Sequence, residues 1–437
     1  MSEEQTAVVC DLTHAGEGVV HGGKTAFIAG ALPGERIRFR RTRRHRQHDE
    51  GELLEVLEPA AQRVAPRCAH FGICGGCALQ HLAPAAQLAA RQRELADTLA
   101  RVARVSPQSW LAPLSGPSWG YRRRARLGVK FVHKKGRVLV GFRERAAPYV
   151  ADLERCEVLS APMDGLIAPL AAMLGELSIR AQLPQIEVAV ADNATALVLR
   201  VLSAPSAADL ARLQAFAAAH TLRLYLQPQG LDSVYELGGA GEPLYYRLAH
   251  FGLELQFAPT DFIQVNGAVN ATLVTRAVEL LELTPHSQVL DLYCGLGNFT
   301  LALARRAQCA VGVEGEAALI ERARANARHN GLDNAAFHQA DLAAPPDTQS
   351  AWLRRPYSHV LLDPPRSGAR ALLAAVAQLA PERVLYISCH PGSLARDVGV
   401  LVHEHGLTLE AAGVVDMFAH TAHMESLALL RGRAPRR

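Results

Sequence analysis

Apolar stretches and amphipathic helices alternate regularly from about residue 259 to the end of the chain. The pattern opens with "SQVLDLYCGLGNFTLALAR", which predicts a strand, a glycine turn and a helix. It continues with the strand "CAVGVEG", the helix "ALIERARANARHNG" and two more strands in "HVLLDPPRSG" and "RVLYISC". Strands that alternate with helices imply a mostly parallel, doubly wound sheet, which binds ligands beyond the carboxyl ends of its strands. Residues 259–437 are therefore predicted to form a Rossmann-like α/β domain.

The rest of the chain predicts two further domains, because 437 residues exceed the size of one ordinary domain. Residues 1–60 alternate short apolar stretches with glycine-rich turns, a pattern typical of a small OB-like β-barrel. Residues 61–258 combine a helical segment with several alternating segments and predict a central α/β domain with an antiparallel sheet. The expected fold is thus multidomain, with an N-terminal barrel, a central domain and a C-terminal Rossmann-like domain.

The composition indicates a globular protein, with 49% hydrophobic and 20% charged residues. The N-terminus carries no apolar signal sequence, and no run of about eighteen apolar residues could span a membrane. We therefore expect a cytoplasmic protein that does not associate with membranes. Its eight cysteines should be reduced, so that any clustering among them points to metal binding or catalysis. No obligate protein partner is evident, and a monomer is expected.

Two runs of arginine point to a partner with a phosphate backbone. Residues 36–46 hold seven arginines and no acidic residue, and "YRRRAR" at 121–126 holds four more beside a tyrosine. A single run of this kind often forms a solvated face. Two runs of arginine rather than lysine, one with an aromatic neighbour, favour contacts with a phosphate backbone.

The glycine turn after the first strand of the C-terminal domain predicts a nucleoside site. Gly295 and Gly297 let the backbone approach a ligand closely, and Glu314 at the end of the next strand can accept both ribose hydroxyls. Thr300 stands where a dinucleotide-binding motif requires a third glycine. An adenine nucleoside without phosphates therefore fits better than NAD, which suggests S-adenosylmethionine.

The carboxyl ends of the later strands add two candidate site residues. Asp363 opens the rigid "DPPRSG" loop and can accept hydrogen bonds from a donor or substrate. Cys389 ends "YISC", where buried packing would be the ordinary role of a lone cysteine. A third carboxylate, Asp341, follows the plausible strand "AFHQ" and could reach an adenine amino group.

Three cysteines in "CAHFGICGGCALQH" predict a metal centre. Cys68, Cys74 and Cys77 follow a C-x5-C-x2-C spacing with glycines between them. Four thiolates suit an iron–sulfur cluster, and four thiolates or three with His70 or His81 suit zinc. The spacing alone does not decide between them.

Nearly the whole chain resembles the RNA uracil-C5 methyltransferases. The matching stretches are "CGGCALQH", "YRRRARLGVKF", "FIQVN", "DLYCGLGNFTLALA", "LLDPPRSG", "YISC" followed by a proline two residues on, and "HMES". The resemblance implies a TRAM barrel, a central domain with a [4Fe-4S] cluster and a C-terminal methyltransferase domain. It implies that Cys156 is the fourth cluster ligand. The residues implied to contact the donor S-adenosylmethionine are Gln264, Tyr293, Asn298, Glu314, Asp341 and Asp363.

The resemblance also assigns the two catalytic groups that uracil methylation needs. C5 of uracil is a poor nucleophile until a thiolate adds to C6, and a base must afterwards remove the C5 proton. Cys389 matches the family's nucleophile and Glu425 its base. One departure is His390, because the family usually has Asn after the nucleophile.

The expected substrate is 23S ribosomal RNA. Transfer RNA relatives typically lack both the barrel and the cysteine cluster, although transfer RNA stays an alternative. A different class of function is a non-catalytic RNA-binding or redox-sensing protein. The presence of both Cys389 and Glu425 argues against it.

Overall fold

Three large β-sheets follow one another in the computed structural model, which describes residues 4–239 and 241–432. The first sheet has the strand order β1-β5-β6-β4-β3-β2. Its strands are β1 (Glu4–Val8), β2 (Asp11–Leu12), β3 (Glu17–Val20), β4 (Ala26–Ala29), β5 (Arg36–Arg44) and β6 (Asp49–Glu58). In β5, Ile37 and Phe39 point into a small apolar core, whereas Arg36, Arg38 and Arg40, which alternate with them, point outward. The predicted N-terminal barrel is therefore present as a barrel-like sheet.

The central sheet has the order β13-β12-β11-β10-β8-β9 and is antiparallel except between β11 and β12, which a crossover helix joins. Its elements are β8 (Arg124–Val132), β9 (Arg137–Gly141), α2 (Ile167–Gly175), β10 (Gln185–Val190), β11 (Thr195–Arg200), α3 (Ala207–His220), β12 (Leu222–Gln227) and β13 (Tyr235–Glu236). Before it come α1 (Pro84–Thr98), a π-helical turn (Leu99–Ala103) and β7 (Ser109–Trp110). After it comes the hairpin β14 (Leu244–Leu248) and β15 (Leu253–Phe257).

The C-terminal sheet has the order β18-β17-β16-β19-β20-β22-β21-β7. Its strands are β16 (Gln288–Leu292), β17 (Cys309–Glu314), β18 (Ala335–Gln339), β19 (His359–Leu362), β20 (Arg383–Ser388), β21 (Thr408–Val415) and β22 (Glu425–Arg431). Its helices are α4 (Gly267–Leu281), α5 (Thr300–Ala304), α6 (Ala317–His329), α7 (Leu373–Gln378) and α8 (Pro391–His403). Strands β16 to β20 are parallel, as the alternation of strands and helices predicts, and β22 is antiparallel to its neighbours.

The order of the parallel strands fixes where a ligand can bind. From β16 the chain builds the sheet in one direction through β17 and β18, and then returns to build β19 and β20 on the other side of β16. At such a reversal the loops after the strands diverge and leave a crevice at their carboxyl ends.

Part of the segment before the central sheet packs on the C-terminal sheet. β7 pairs with β21, and Leu95, Leu99 and Ala103 share an apolar core with Leu394 of α8. The first helix therefore supports the C-terminal sheet, and the two predicted domain boundaries stay predictions. None of the helices in the two described ranges has the length and apolarity to cross a membrane.

Candidate active site

A cavity of about 620 Å³ opens at the carboxyl ends of β16, β17, β19 and β20. All of the predicted donor-binding and catalytic residues except Asp341 line it. They are Gln264, Tyr293, Asn298, Glu314, Asp363, Cys389 and Glu425. Asp341 is exposed beside the cavity and accepts a hydrogen bond from Ala343 N–H at 2.9 Å, while Leu342 and Ala343 form part of the wall. The structure thus brings the predicted residues together, and their individual roles stay predictions.

The glycine turn holds the Glu314 carboxylate in a fixed orientation. Gly295 and Gly297 have φ angles of 55° and 95°, which glycine adopts without a steric cost. The Gly295 N–H then reaches one Glu314 oxygen at 3.2 Å, and the N–H groups of Gly315 and Glu316 reach the other at 2.7 and 3.2 Å. Three backbone donors keep the carboxylate at the cavity wall, where its remaining lone pairs can accept hydroxyl groups.

Asn298 is fixed by two side chains from outside the glycine turn. Its amide exchanges two hydrogen bonds with the amide of Asn270, at 2.9 and 3.0 Å. The Tyr246 hydroxyl donates a third to Asn298 Oδ1 at 2.9 Å. Tyr246 also lines the cavity, so the hairpin β14–β15 takes part in shaping the candidate donor site.

In "DLYC", Tyr293 has a strained backbone conformation and Asp291 is a buried carboxyl group. Tyr293 has a φ of 66°, unusual for a residue with a side chain, and its hydroxyl donates to the Leu342 carbonyl at 3.0 Å. Asp291 is fully buried and accepts a hydrogen bond from Thr300 Oγ1 at 2.5 Å. Burial raises the pKa of Asp291 to about 7. This carboxyl group ties β16 to the start of α5 beneath the glycine turn.

Two carboxyl groups, Asp363 and Glu425, share the inner part of the cavity. Burial raises the pKa of Asp363 to about 7. Burial, and after it the charge of Asp363, raises the pKa of Glu425 well above its ordinary value. Glu425 is 3% exposed, and its Oε1 atom has no hydrogen-bond partner among the described residues. A carboxyl group of this kind has a strengthened affinity for a proton.

Cys389 lies between the end of β20 and the start of α8. Burial, followed by the charges of Glu425 and Asp363, raises the pKa of its thiol to about 11, and Arg366 opposes this shift. His390, the next residue, is the N-cap of α8, because its Nδ1 atom accepts a hydrogen bond from Ser393 N–H at 3.1 Å. Cys389 therefore directly precedes the positive end of a helix dipole, a position that favours a thiolate.

The cavity also has walls that the sequence did not single out. The aromatic rings of Phe262 and Phe418 line it, and Phe262 is 68% exposed. Arg366 lines it as well and contacts His423 Nδ1 at 3.4 Å. Phe262 stands in "FIQVN", a stretch that matches the family, so this signal was present in the sequence. Tyr246 and Phe418 had no comparable local signal.

The four predicted cluster ligands surround one small cavity. Cys68, Cys74, Cys77 and Cys156 all line it, together with Arg122. Burial, with the neighbouring thiols adding to it, raises the pKa of Cys74 to about 11 and that of Cys77 to about 12. In residues 4–239 and 241–432, no group of three or more His, Cys, Asp or Glu side chains is arranged to hold a metal ion. The cysteines are thus gathered in one place, and an iron–sulfur cluster is not confirmed.

Most arginines of the first predicted RNA-binding run form ion pairs. On β5, Arg38 reaches Glu55 at 2.7 Å and Glu4 at 3.2 Å, and Arg41 reaches the buried Asp49 at 2.8 Å. The arginines in ion pairs are Arg36, Arg38, Arg40, Arg41 and Arg43. These ion pairs with acidic residues of β1 and β6 connect β5 to both of its neighbouring strands and leave less free charge than the run predicts.

The arginines of the second run, residues 121–126, form ion pairs and a ring contact within the central part of the chain. Arg124 is largely buried and pairs with Glu187 at 3.2 Å, and Arg126 reaches the same carboxylate at 3.0 Å. Arg123 pairs with Asp192 at 2.6 Å. Arg122 lies over the ring of Phe142 beside the four cysteines. This run therefore organises the central sheet, and contact with RNA remains a prediction.

Comparison with known proteins identifies a family and a solved structure that this chain resembles. Residues 247–433 match the model of the family described as tRNA (Uracil-5-)-methyltransferase. A protein from Pyrococcus abyssi, described as a tRNA (uracil-54, C5)-methyltransferase in complex with S-adenosyl-L-homocysteine, has a similar structure. The TM-score is 0.74 at 22% identity, over 98% of this chain and 100% of that chain. At this identity the likeness shows the fold.

Relatives of higher identity extend over almost the whole chain. A protein of Xanthomonas oryzae pv. oryzae named 23S rRNA (uracil(1939)-C(5))-methyltransferase RlmD is 49% identical over 98% of this chain and 97% of its own length. A protein of the same name from Nitrosococcus oceani is 50% identical over 98% of this chain and 96% of its own length. The one from Alkalilimnicola ehrlichii is 49% identical with the same coverage. The chain belongs to the RNA uracil-C5 methyltransferase family, as the "DLYCGLGNFTLALA", "DPPRSG" and "YISC" stretches predict.

Proposed function

We propose that this protein transfers a methyl group from S-adenosylmethionine to C5 of a uridine in 23S ribosomal RNA. The observation that carries the proposal is the presence of Cys389 and Glu425 in the wall of the same cavity as the glycine turn and the Asp363 loop. Methylation of uracil C5 requires a thiol as nucleophile, a carboxylate as base and a site for the methyl donor. The cavity offers a thiol, a carboxylate whose pKa is raised and room for a nucleoside. The target is inferred from the relatives, and corresponds to the uridine their names give as 1939.

Bound S-adenosylmethionine would supply an electrophilic methyl group on a sulfonium. Glu314 would hold the ribose hydroxyls, and Asp363 would face the amino acid part of the donor or the base. Cys389 loses its thiol proton to solvent, and its sulfur then forms a bond to C6 of the uracil, which places the electrons of the C5–C6 double bond on C5. C5 then forms its bond to the methyl carbon, whose bond to sulfur breaks. Glu425 removes the C5 proton, the double bond re-forms and the Cys389–C6 bond breaks.

The electrostatics of the cavity suit this division of roles. The pKa of the Cys389 thiol is raised by burial first and by its acidic neighbours second, so the free site holds a thiol rather than a thiolate at neutral pH. The helix dipole of α8 and Arg366 act in the opposite direction and favour the thiolate. Glu425, with its pKa raised by burial, is a stronger base than an ordinary glutamate and is suited to removing a carbon-bound proton.

We also propose that Cys68, Cys74, Cys77 and Cys156 hold a [4Fe-4S] cluster. Their common cavity supports this proposal, because each iron of such a cluster takes one thiolate and the four sulfurs need not converge on one point. Arg122 beside them would offset the negative charge of the four thiolates. The cluster, when bound, would supply a rigid cross-link between residues 68–77 and residue 156, and no step of the methylation uses it.

The proposed substrate places the protein in the cytoplasm, where ribosomal RNA is modified. A monomer and the absence of an obligate protein partner remain predictions.

Transfer of labelled methyl to RNA tests the proposal. Purified protein is given labelled S-adenosylmethionine and either 23S RNA lacking the modification or unmodified transfer RNA, and the labelled nucleotide is mapped. The expected product is 5-methyluridine at the single 23S position. Label in transfer RNA alone would replace ribosomal RNA as the substrate, and no label in either would point to a non-catalytic protein.

Two variants test the assigned roles. Cys389→Ala should bind donor and RNA but transfer no methyl group, because the covalent step is lost. Glu425→Gln should methylate C5 and release slowly, so that a methylated RNA–protein adduct accumulates. RNA with 5-fluorouridine at the target should trap the wild-type protein, since fluorine cannot leave as a cation. Formation of the same adduct by Cys389→Ala would place the nucleophile elsewhere.

A further inference from the structure

The loop of residues 416–424 joins β21 to β22 and ends at Glu425. We call it the base loop. Four successive carbonyl groups of this loop, those of residues 418–421, accept hydrogen bonds from donors within residues 78–121. These donors lie some three hundred residues away in sequence, for example 327 residues between Arg91 and Phe418. The shape of the base loop is thus set by another part of the chain.

Arg91 of α1 makes the most extensive contact with the base loop. It is 4% exposed and its guanidinium pairs with the Asp416 carboxylate at the start of the loop. Its Nη2 atom donates to the Phe418 and Thr421 carbonyls, both at 3.1 Å. A planar guanidinium can hold a carboxylate and two carbonyls at once, and it thereby connects the start of the base loop to residues 418 and 421.

Gln87, one turn earlier on α1, fixes the middle of the base loop at His420. The Gln87 side chain accepts a hydrogen bond from His420 N–H at 3.1 Å and donates to His420 Nδ1 at 3.0 Å. The His420 ring stacks on Trp119 with 3.9 Å between ring centroids, and its φ angle is 64°. A side chain holds this left-handed conformation only where its surroundings dictate it.

The segment that carries the cysteines contributes to the same point. The N–H groups of Ala78 and Leu79, which directly follow Cys77, both donate to the His420 carbonyl, at 2.8 and 2.9 Å. The Tyr121 hydroxyl donates to the Ala419 carbonyl at 2.9 Å. The base loop is therefore held from three directions, by α1, by residues 78–79 and by the segment before β8.

We infer that Gln87 and Arg91 are positioning residues for the proton-removal step. They hold the base loop in the conformation that delivers the Glu425 carboxylate to the cavity that Cys389 also lines. The inference rests on the proposed function, since it gives these residues a part in that reaction. Neither residue lines the cavity around Cys389, so neither contacts the reacting atoms directly. A displacement of the base by about 1 Å is enough to slow the step about 100-fold.

The test compares Arg91→Lys with Arg93→Lys under single-turnover conditions. Lysine keeps the positive charge opposite Asp416 but lacks the planar fork that reaches both carbonyls. Arg93 is exposed on the same helix and serves as the matched control. Labelled methyl is followed into two fractions, free methylated 23S RNA and RNA covalently joined to denatured protein. Binding of S-adenosylhomocysteine is measured alongside as a check that the C-terminal domain is intact.

For Arg91→Lys we expect release of methylated RNA to slow about 10- to 100-fold while formation of the methylated adduct stays within about two-fold of wild type. The adduct fraction should therefore rise, as it should more strongly in Glu425→Gln. Arg93→Lys should match wild type in both fractions. Gln87→Met keeps the side-chain length without its hydrogen bonds, and it should show the same slow release with near-normal adduct formation. It replaces Arg91→Lys if that variant fails to bind S-adenosylhomocysteine.

Two results would overturn the inference. One is a variant that releases methylated RNA at the wild-type rate. The other is an equal fall in adduct formation and release, which would give α1 a general structural role only. Failure of the wild-type protein itself to transfer methyl would instead defeat the proposed function, and the inference with it, and this outcome is visible in the wild-type arm alone.

Discussion

The imidazole of His390 accepts a hydrogen bond from the backbone N–H of Ser393 at 3.1 Å. This bond makes His390 the N-cap of α8, with Pro391 at the first helical position. Asparagine, the usual residue of the family at this position, is among the best N-caps, because its side-chain oxygen accepts the same kind of bond. Histidine in place of asparagine therefore keeps the function of the position, which is to start α8 directly after Cys389.

The cap makes a first prediction about His390. His390→Asn should keep thermal stability and kcat close to wild type, since asparagine restores an acceptor for Ser393 N–H. His390→Ala should lose about 1 kcal/mol of stability. Its kcat should also fall, because Cys389 directly precedes a helix start that is no longer capped. Thermal unfolding and methyl transfer measure the two effects. An alanine variant with wild-type stability and kcat would show that the cap does not position the thiol.

A second prediction concerns the buried carboxyl of Glu425. Its pKa is raised by burial and then by Asp363. A folded-state pKa above the unfolded one means that the folded state binds more protons, so stability falls as pH rises from about 4.5 through the raised pKa. Glu425→Gln removes this loss. The variant should be more stable than wild type in the donor-free state, by an amount that is small at pH 5 and larger at pH 8.

Thermal unfolding over this pH range measures the difference. Glu404→Gln, an exposed glutamate at the end of α8, is the matched control and should leave the pH profile unchanged. A constant difference between Glu425→Gln and wild type from pH 5 to pH 8 would contradict the raised pKa. Loss of activity together with a gain in stability is the pattern expected of a functional group placed at a cost to the fold.

Much of the C-terminal fold could be predicted because its signals are local. Each predicted strand from "SQVLDL" to "RVLYIS" is a strand in the structure, and the strand ends place Glu314, Asp363 and Cys389 on one edge of the sheet. The apolar runs of a parallel sheet and the glycines of its turns lie within a few residues of each other. Pairing of β7 with β21 has no such signal, because its two residues carry no pattern of their own.

For the candidate site, too, the sequence indicated some residues and missed those that depend on long-range contacts. Cys389 and Glu425 were found through a resemblance, and a strand-end position alone would have favoured packing for the cysteine. Tyr246 and Asn270 hold Asn298 through contacts between distant parts of the chain, and no sequence pattern links them. The contribution of α1 to the base loop was missed for the same reason. Long-range hydrogen bonds between single side chains leave no periodicity to read.

A third prediction separates the arginines of residues 36–46. Arg44 and Arg46 are exposed and form no ion pair with the described residues, whereas Arg38 pairs with Glu4 and Glu55. If this part of the N-terminal sheet binds RNA, replacing Arg44 and Arg46 by alanine should reduce the slope of log affinity against log salt by about one for each phosphate that is no longer neutralised. Arg38→Ala should change the slope less, because its charge is already balanced. RNA binding measured from low to moderate salt decides the matter.

Donor binding is the control for the third prediction, since S-adenosylhomocysteine affinity should not change in either variant. An unaltered salt slope in Arg44→Ala/Arg46→Ala would mean that the outer face of β5 is a solvated surface. A larger effect of Arg38→Ala than of the double variant would mean that RNA displaces the glutamates from their arginines.

The last prediction concerns the four cysteines around one cavity. Protein purified without oxygen should contain about four irons and four acid-labile sulfides per chain, if the cavity holds a [4Fe-4S] cluster. Cys74→Ser should lose the iron and its visible absorbance, because Cys74 is one of the four wall thiols. Cys10→Ser is the control, since Cys10 is exposed and its thiol donates a hydrogen bond to the Val19 carbonyl in the N-terminal sheet. Ala78 and Leu79 follow Cys77 and hold His420, so loss of the cluster should also lower thermal stability and slow product release.

Stoichiometric zinc without iron in the anaerobic protein would replace the cluster by a zinc site, and full iron content in Cys74→Ser would exclude Cys74 as a ligand.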